Sequence, residues 1–101
     1  MLVRVLYVSE IVRPPSDTDL RVVLSASHIR NRRLDVTGML AYGGTHFGQV
    51  LEGREEAVAE VMKRIVKNPL HTGLRTLLHE TTARRQFASW SMGFIRRDRL
   101  G

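Results

Sequence analysis

Apolar and polar positions alternate at the start of the chain, with Val3, Val5 and Tyr7 on one side and Leu2, Leu6 and Val8 on the other. This period of two predicts a strand over 2–9, apolar enough on both faces to lie centrally in a sheet. Pro14-Pro15-Ser16-Asp17 then reads as a loop ending in a helix cap, with Ser16 or Asp17 as the capping oxygen. Leu20, Val23, Leu24, Ser27 and Asn31 recur at three and four, which predicts a helix to about Arg32. Strands are predicted over 36–42 and 46–52, joined by the hairpin turn Gly43-Gly44-Thr45. A second helix runs from Glu55 to Lys67, with Ala57, Val58, Val61, Met62 and Ile65 on its apolar side, and Asn68-Pro69 stops it. Strands over 73–80 and 90–95 complete the pattern, separated by a polar stretch containing Arg84-Arg85.

The order βαββαβ plus one strand predicts an α+β domain of the ferredoxin-like type, with both helices on one face of a largely antiparallel sheet. The opposite face carries apolar residues and no later helix to cover it. It is therefore expected to pair with a second copy, making the protein a homo-oligomer, or to be covered by a part of some longer protein. A length of 101 residues suits one domain. The absence of cysteine excludes disulfides, thiolate catalysis and Cys-type zinc sites, and fits a cytoplasmic location. The opening Met1-Leu2-Val3-Arg4-Val5-Leu6-Tyr7 is too brief an apolar run for a signal peptide or a membrane span, so no membrane association is expected. The net charge of +6 is dispersed over helix ends and loops, where cations suit solvent and the helix dipole. The cluster Arg96, Arg97 and Arg99, in a basic tail over 96–101, is the part best placed to meet a partner.

Gln49 falls in mid-strand on the face expected to look inward. A buried amide is costly unless both its donors and its carbonyl find partners. The first strand is expected beside the third, which brings Tyr7 across the ladder from Gln49. Asn31 ends the first helix and Arg64 lies in the last turns of the second. The result is a slot between two helices, floored by Tyr7 and Gln49. There Asn31 and Gln49 could hydrogen-bond the edge of a planar heterocycle while Leu24 and Ile65 supply apolar faces. Plainer roles exist for each residue: a core tyrosine, a helix-capping asparagine, core Trp90 and Met92, a loop histidine at His71. The four histidines show no zinc-ligand spacing, no nucleophile–base arrangement stands out, and the glycines form no phosphate loop.

Several short motifs then fall in order: Leu6-Tyr7-Val8-Ser9; Asn31 followed by Leu34-Asp35-Val36-Thr37-Gly38; Phe47-Gly48-Gln49-Val50-Leu51-Glu52-Gly53; Arg64-Ile65 with Asn68-Pro69-Leu70-His71; and Trp90-Ser91-Met92-Gly93. Their intervals are 24 residues from Tyr7 to Asn31, 18 from there to Gln49 and 41 more to Trp90. In motifs and spacing, residues 1–95 resemble the BLUF family, blue-light sensors that use a flavin. The resemblance implies non-covalent FAD, with FMN or riboflavin as substitutes, and no turnover of a substrate. It implies that Tyr7 gives an electron and a proton to the excited flavin, and that Gln49 is the switching amide between tyrosine and flavin. Asn31 matches the residue on the flavin's C4 carbonyl and N3 edge, and Arg64 and His71 match flavin-contacting positions. Trp90 and Met92 match a pair on the last strand that can exchange places near the glutamine and relay the signal to a downstream protein or domain. Three departures stand out: Gly48 replaces a bulky apolar residue and is expected to loosen packing beside Gln49, Asn68 replaces an aspartate, and the helices that usually follow the fifth strand are missing. The rival readings are a basic ferredoxin-like module binding nucleic acid and an acylphosphatase-like hydrolase. The first needs aromatics on the open sheet face, whereas Phe47 and Trp90 are expected on the helix-covered side. The second lacks an Arg–Asn pair in a phosphate-binding loop.

Overall fold

The structure is a computed structural model and describes residues 1–97; of the basic tail, Arg99 lies outside the described residues. The elements are β1 (Leu2–Ile11), α1 (Asp17–Leu34), β2 (Thr37–Tyr42), β3 (His46–Arg54), α2 (Glu55–Val66), β4 (His71–Thr82) and β5 (Gly93–Arg96). They form one five-stranded sheet in the order β4-β1-β3-β2-β5. All pairings are antiparallel except β2–β5. The two helices pack on one face, giving the expected ferredoxin-like α+β architecture.

Local chemistry explains the boundaries. Ser16 caps α1: its Oγ accepts from Asp19 N at 3.0 Å while Asp19 Oδ2 accepts from Ser16 N at 3.0 Å, so two otherwise unpaired N–H groups are satisfied reciprocally. The helix runs past Arg32 to Leu34 and ends at Asp35, whose φ of 56° is the left-handed cap conformation. Asn31 is therefore inside the last turn and is not the cap. Acidic Glu55 and Glu56 begin α2 and basic Lys63 and Arg64 end it, complementing the helix dipole. Leu70 N donates to Asn68 Oδ1 at 2.9 Å, turning the chain where proline has stopped the helix.

Burial alternates along β1, with Val3, Val5, Tyr7 and Ser9 buried. The helix-side core joins Val3, Val5 and Leu51 to Val58, Val61 and Ile65 of α2. Burying each such aliphatic side chain is worth about 2 kcal/mol. A smaller cluster, Leu20, Leu40, Tyr42 and Phe47, seats α1. Gly38 is required sterically: a Cβ there would lie 2.0 Å from the Val50 carbonyl oxygen.

Two strands differ from expectation. β4 is longer than 73–80 because it pairs along the whole of β1, from Leu2↔Thr82 to Ile11↔His71. β5 starts at Gly93, not at residue 90. The preceding residues bend round the β2 edge, where Gly38 N donates to Trp90 O at 3.0 Å. Arg96 is the last residue of β5 and pairs with Asp17 at 2.8 Å, so it belongs to the sheet and not to a free tail. Gly48 lies on the open face, opposite to the side chain of Gln49. A Cβ there would meet only Tyr7 O at 3.9 Å and Val8 Cγ1 at 4.0 Å. Its effect is to bare the open face, while Gln49 itself stays 4% exposed.

The open face is not wholly bare. Residues 83–92 leave β4 at one edge and reach β5 at the other, crossing the end of the sheet that holds Arg4 and Glu52. No helix among the described residues is long and apolar enough to cross a membrane.

Candidate functional site

The register of β1 and β3 places Tyr7 directly opposite Gln49, and Leu40 of β2 flanks Gln49 on the other side. All three point under the helices. The Tyr7 hydroxyl donates to Gln49 Oε1 within the core, and Gln49 Nε2 donates to Met92 Sδ at 3.5 Å. The amide is thus oriented by a donor on one side and an acceptor on the other. Burial pushes the Tyr7 phenol well above the ordinary tyrosine range, an effect partly offset by the positive charge of Arg30. The hydroxyl therefore keeps its proton at neutral pH.

Above this pair lies a small cleft with an open mouth. Its lining brings together α1 (Val23, Ser27, Arg30), α2 (Arg64, Ile65), the sheet (Tyr7, Leu40, Phe47, Gln49) and the segment Asn68, Leu70, His71. His71 is held at both nitrogens, by Ile65 O at 2.6 Å and Ser9 Oγ at 2.7 Å. A carbonyl can only accept, so Nε2 carries a hydrogen and donates to Ile65 O, while Nδ1 shares a hydrogen bond with the serine hydroxyl.

Tyr7, Gln49, Arg64, Ile65 and His71 meet at the cleft, as expected from the sequence. Asn31 is fully buried and outside the lining; its Nδ2 donates to Ser91 O at 2.9 Å. Leu24 packs with Leu20, Leu40, Tyr42 and Phe47 instead of facing the cleft. Met92 reaches Gln49 from the residues before β5. Trp90 does not: it is 47% exposed and stacks on Phe87 with ring centroids 5.9 Å apart. The expectation that it lies on the helix-covered side is therefore wrong, because the chain at residue 90 has not yet rounded the β2 edge. Phe47 is on that side, as expected, and 6% exposed.

Arg30 is the residue that sequence reasoning missed. Its Nε is buried with no hydrogen-bond partner, and so is Asn31 Oδ1. Burial, and then the neighbouring Arg64 charge, pull its guanidinium below the ordinary value, though arginine remains protonated. Orphaned buried polar atoms are rare and costly. An open donor on the cleft wall, at Arg30, and an open acceptor buried behind that wall, at Asn31, suit a ring edge bearing both a carbonyl and an N–H. The imide edge of a flavin has that alternation, so the residues present fit such a group.

The model of the family described as "Sensors of blue-light using FAD" matches residues 2–93. The chain belongs to the BLUF family. Among curated BLUF relatives, the blue light- and temperature-regulated antirepressor BluF of Escherichia coli (strain K12) is 34% identical over 92 residues, 91% of this chain and 23% of that protein. The dark-state structure of the BLUF protein BlrB superposes with a TM-score of 0.93 at 34% identity, over 98% of this chain and 75% of that one. A bacterial light-regulated adenylyl cyclase gives a TM-score of 0.94 at 31% identity, over 98% of this chain and 29% of the cyclase. The chain thus spans less than a quarter of the antirepressor and well under half of the cyclase. The family it belongs to is one of blue-light sensors that use FAD. Two of these relatives are thus named for a light-regulated output, antirepression in one and adenylyl cyclisation in the other.

Proposed function

We propose that light sensing in this chain is carried by a proton-and-electron donor, Tyr7, and an amide switch, Gln49, that reports to Met92. When bound, the flavin supplies the visible absorption and, once excited, the appetite for an electron. Tyr7 is the donor: its phenol can give up an electron and a proton together, and its O–H is aimed at Gln49 Oε1. Asn31 and Arg30 hold the ring edge through their open acceptor and donor. Arg64 and His71 line the approach, Ile65 gives an apolar face, and Leu24 supports the slot through Leu40 and Phe47. FMN or riboflavin could occupy the same slot, since these contacts concern the ring system.

The observation that carries this reading is the chain Tyr7 hydroxyl, Gln49 amide, Met92 sulfur. An amide is asymmetric. Rotating it, or converting it to its imidic tautomer, exchanges donor and acceptor without moving the backbone. A rotated Gln49 would turn Oε1 towards Met92 Sδ, placing two acceptors together, so Met92 must shift. The switch therefore has a mechanical output in the residues before β5, which a downstream protein or domain can read. The half-buried open face, with Leu6, Val8, Val50 and Met39, is the surface offered to that effector or to a second copy.

Tyr7→Phe tests the reading. The wild-type protein is expected to hold a flavin whose absorption reddens reversibly under blue light. The variant is expected to hold flavin equally well and to lose the shift. A normal reversible shift in Tyr7→Phe would show that the donor lies elsewhere.

A further inference from the structure

Residues 83–92 form a strap that touches both faces of the sheet. On the open face it passes over Arg4, Glu52 and Thr37. Glu52 is completely buried there and accepts from Gln86 N at 2.9 Å, Phe87 N at 2.8 Å and Arg4 Nε at 2.7 Å. Arg85 lies beside it, donating to Thr37 Oγ1, Glu52 O and both the backbone and carboxylate oxygens of Asp35. The strap then rounds the β2 edge. Asn31 takes Ser91 O, His28 takes the Ser91 hydroxyl, and Met92 arrives at Gln49. Glu52 and Gln49 belong to the same strand, with side chains on opposite faces, and the strap is bonded to both.

We propose that Glu52 is the positioning residue of the light switch, anchoring strap 83–92 on the open face so that Met92 is held against Gln49 on the other. The inference deepens the proposed function and rests on it. A carboxylate fits this place because it is all acceptor, and the strap presents two backbone N–H groups to it. With that anchor firm, a displacement of Met92 is not absorbed by slack in the strap. It reaches residues 86–90, including the half-buried Phe87 and the exposed Trp90. Glu80 provides an internal control: it also bonds Arg4, at 2.8 Å, but it is exposed and no strap amide bonds it.

Glu52→Gln keeps the shape and replaces one acceptor oxygen with an NH2 group that faces a backbone donor. Arg85→Gln loosens the strap without disturbing the buried carboxylate, and serves if Glu52→Gln fails to fold. Amide hydrogen exchange in the dark, on flavin-loaded protein, is expected to speed up by about tenfold or more at 86–92 in either variant, the effect of losing one charge-assisted hydrogen bond. Exchange in β1 and β3 should stay near wild type. Trp90 is the only tryptophan, so acrylamide quenching reads the strap directly and should rise. Recovery of the dark spectrum after illumination should change severalfold in both variants, with the dark absorption maximum unmoved, while Glu80→Gln matches wild type throughout. Wild-type exchange at 86–92 in Arg85→Gln would overturn the anchor. So would uniform acceleration over the whole sheet, or strap loosening that leaves recovery unchanged. A wild-type protein with no reversible red shift would instead overturn the light-switch reading, by a measurement independent of the dark exchange.

Discussion

The two sides of Gln49 are built differently. Towards β1 it belongs to an unbroken antiparallel ladder, in register from Leu2↔Arg54 to Glu10↔His46. Tyr7 is set across from it by backbone geometry alone. On its other side it meets Met92, which precedes a four-residue edge strand and is placed by side-chain bonds from Glu52, Arg85, Asn31 and His28 to a loop. A ladder is cooperative and stiff, whereas a loop held by discrete polar contacts can be released one contact at a time. The chemistry that must be repeatable sits on the ladder, and the part that must move hangs from the strap. A light switch needs both, because a displaced amide is informative only if one neighbour stays and the other yields.

The strongest way to break this arrangement is at Gly38, where the β2 backbone serves both sides at once. Its N–H bonds Trp90 O, and any Cβ would collide with the Val50 carbonyl. Gly38→Ala is expected to cost about 3 kcal/mol or more, lowering the thermal midpoint by on the order of 15 °C if it folds at all; circular dichroism melting checks this. A midpoint within a few degrees of wild type would mean that β2 has slack the structure does not show.

A smaller change separates the slot from the strap. Arg30→Gln removes the guanidinium whose buried Nε lacks a partner and should weaken flavin binding by about tenfold, measured by equilibrium dialysis. Hydrogen exchange at 86–92 should not move, because no strap residue bonds Arg30. Loss of strap protection in this variant would show that the two sides are not separable in the way described.

The mildest perturbation is acid. Burial pushes the Glu52 carboxyl up, but the Gln86 and Phe87 N–H groups together with Arg4 outweigh it and hold the group below its ordinary value of 4.5. A depressed carboxylate contributes stability that is fully present above its unfolded pKa. That contribution is lost as the pH falls below the ordinary value and through the lower folded one. Acrylamide quenching of Trp90 is therefore expected to rise below about pH 4.5, ahead of the loss of the sheet's circular dichroism signal. Simultaneous transitions would place strap and ladder in one cooperative unit.

What the sequence disclosed follows the same division. Tyr7, Gln49 and the β1–β3 neighbourhood were legible because strand parity is local and the topology leaves few alternatives. Arg64 and Ile65 followed from the last turns of the second helix, whereas His71 came only with the family resemblance. Trp90 was misplaced because an apolar residue near a strand reads as part of it, whereas its position depends on Glu52, which is remote in sequence. Glu52 itself resembles any solvent-facing residue of an alternating strand until the strap is laid over it. Arg30, beside Arg32 and Arg33, reads as solvated surface. Only the three-dimensional closeness of Tyr7 and Arg64 marks it as part of the slot.

The pairing Tyr7↔Gln49 has a consequence for how this chain can diverge. Side chains alternate along a strand, so one residue inserted in β1 before Tyr7, or in β3 after Gln49, forces a choice between keeping the hydrophobic face and keeping the pair. The strands can thus exchange residues freely but cannot change length. The strap is no freer: Trp90 N donates to Phe87 O at 3.0 Å and Gly38 N holds Trp90 O, so a residue added between Phe87 and Trp90 would put slack between the Glu52 anchor and Met92. Sequences that keep the switch are therefore expected to hold the length of the strap as well as that of the two strands.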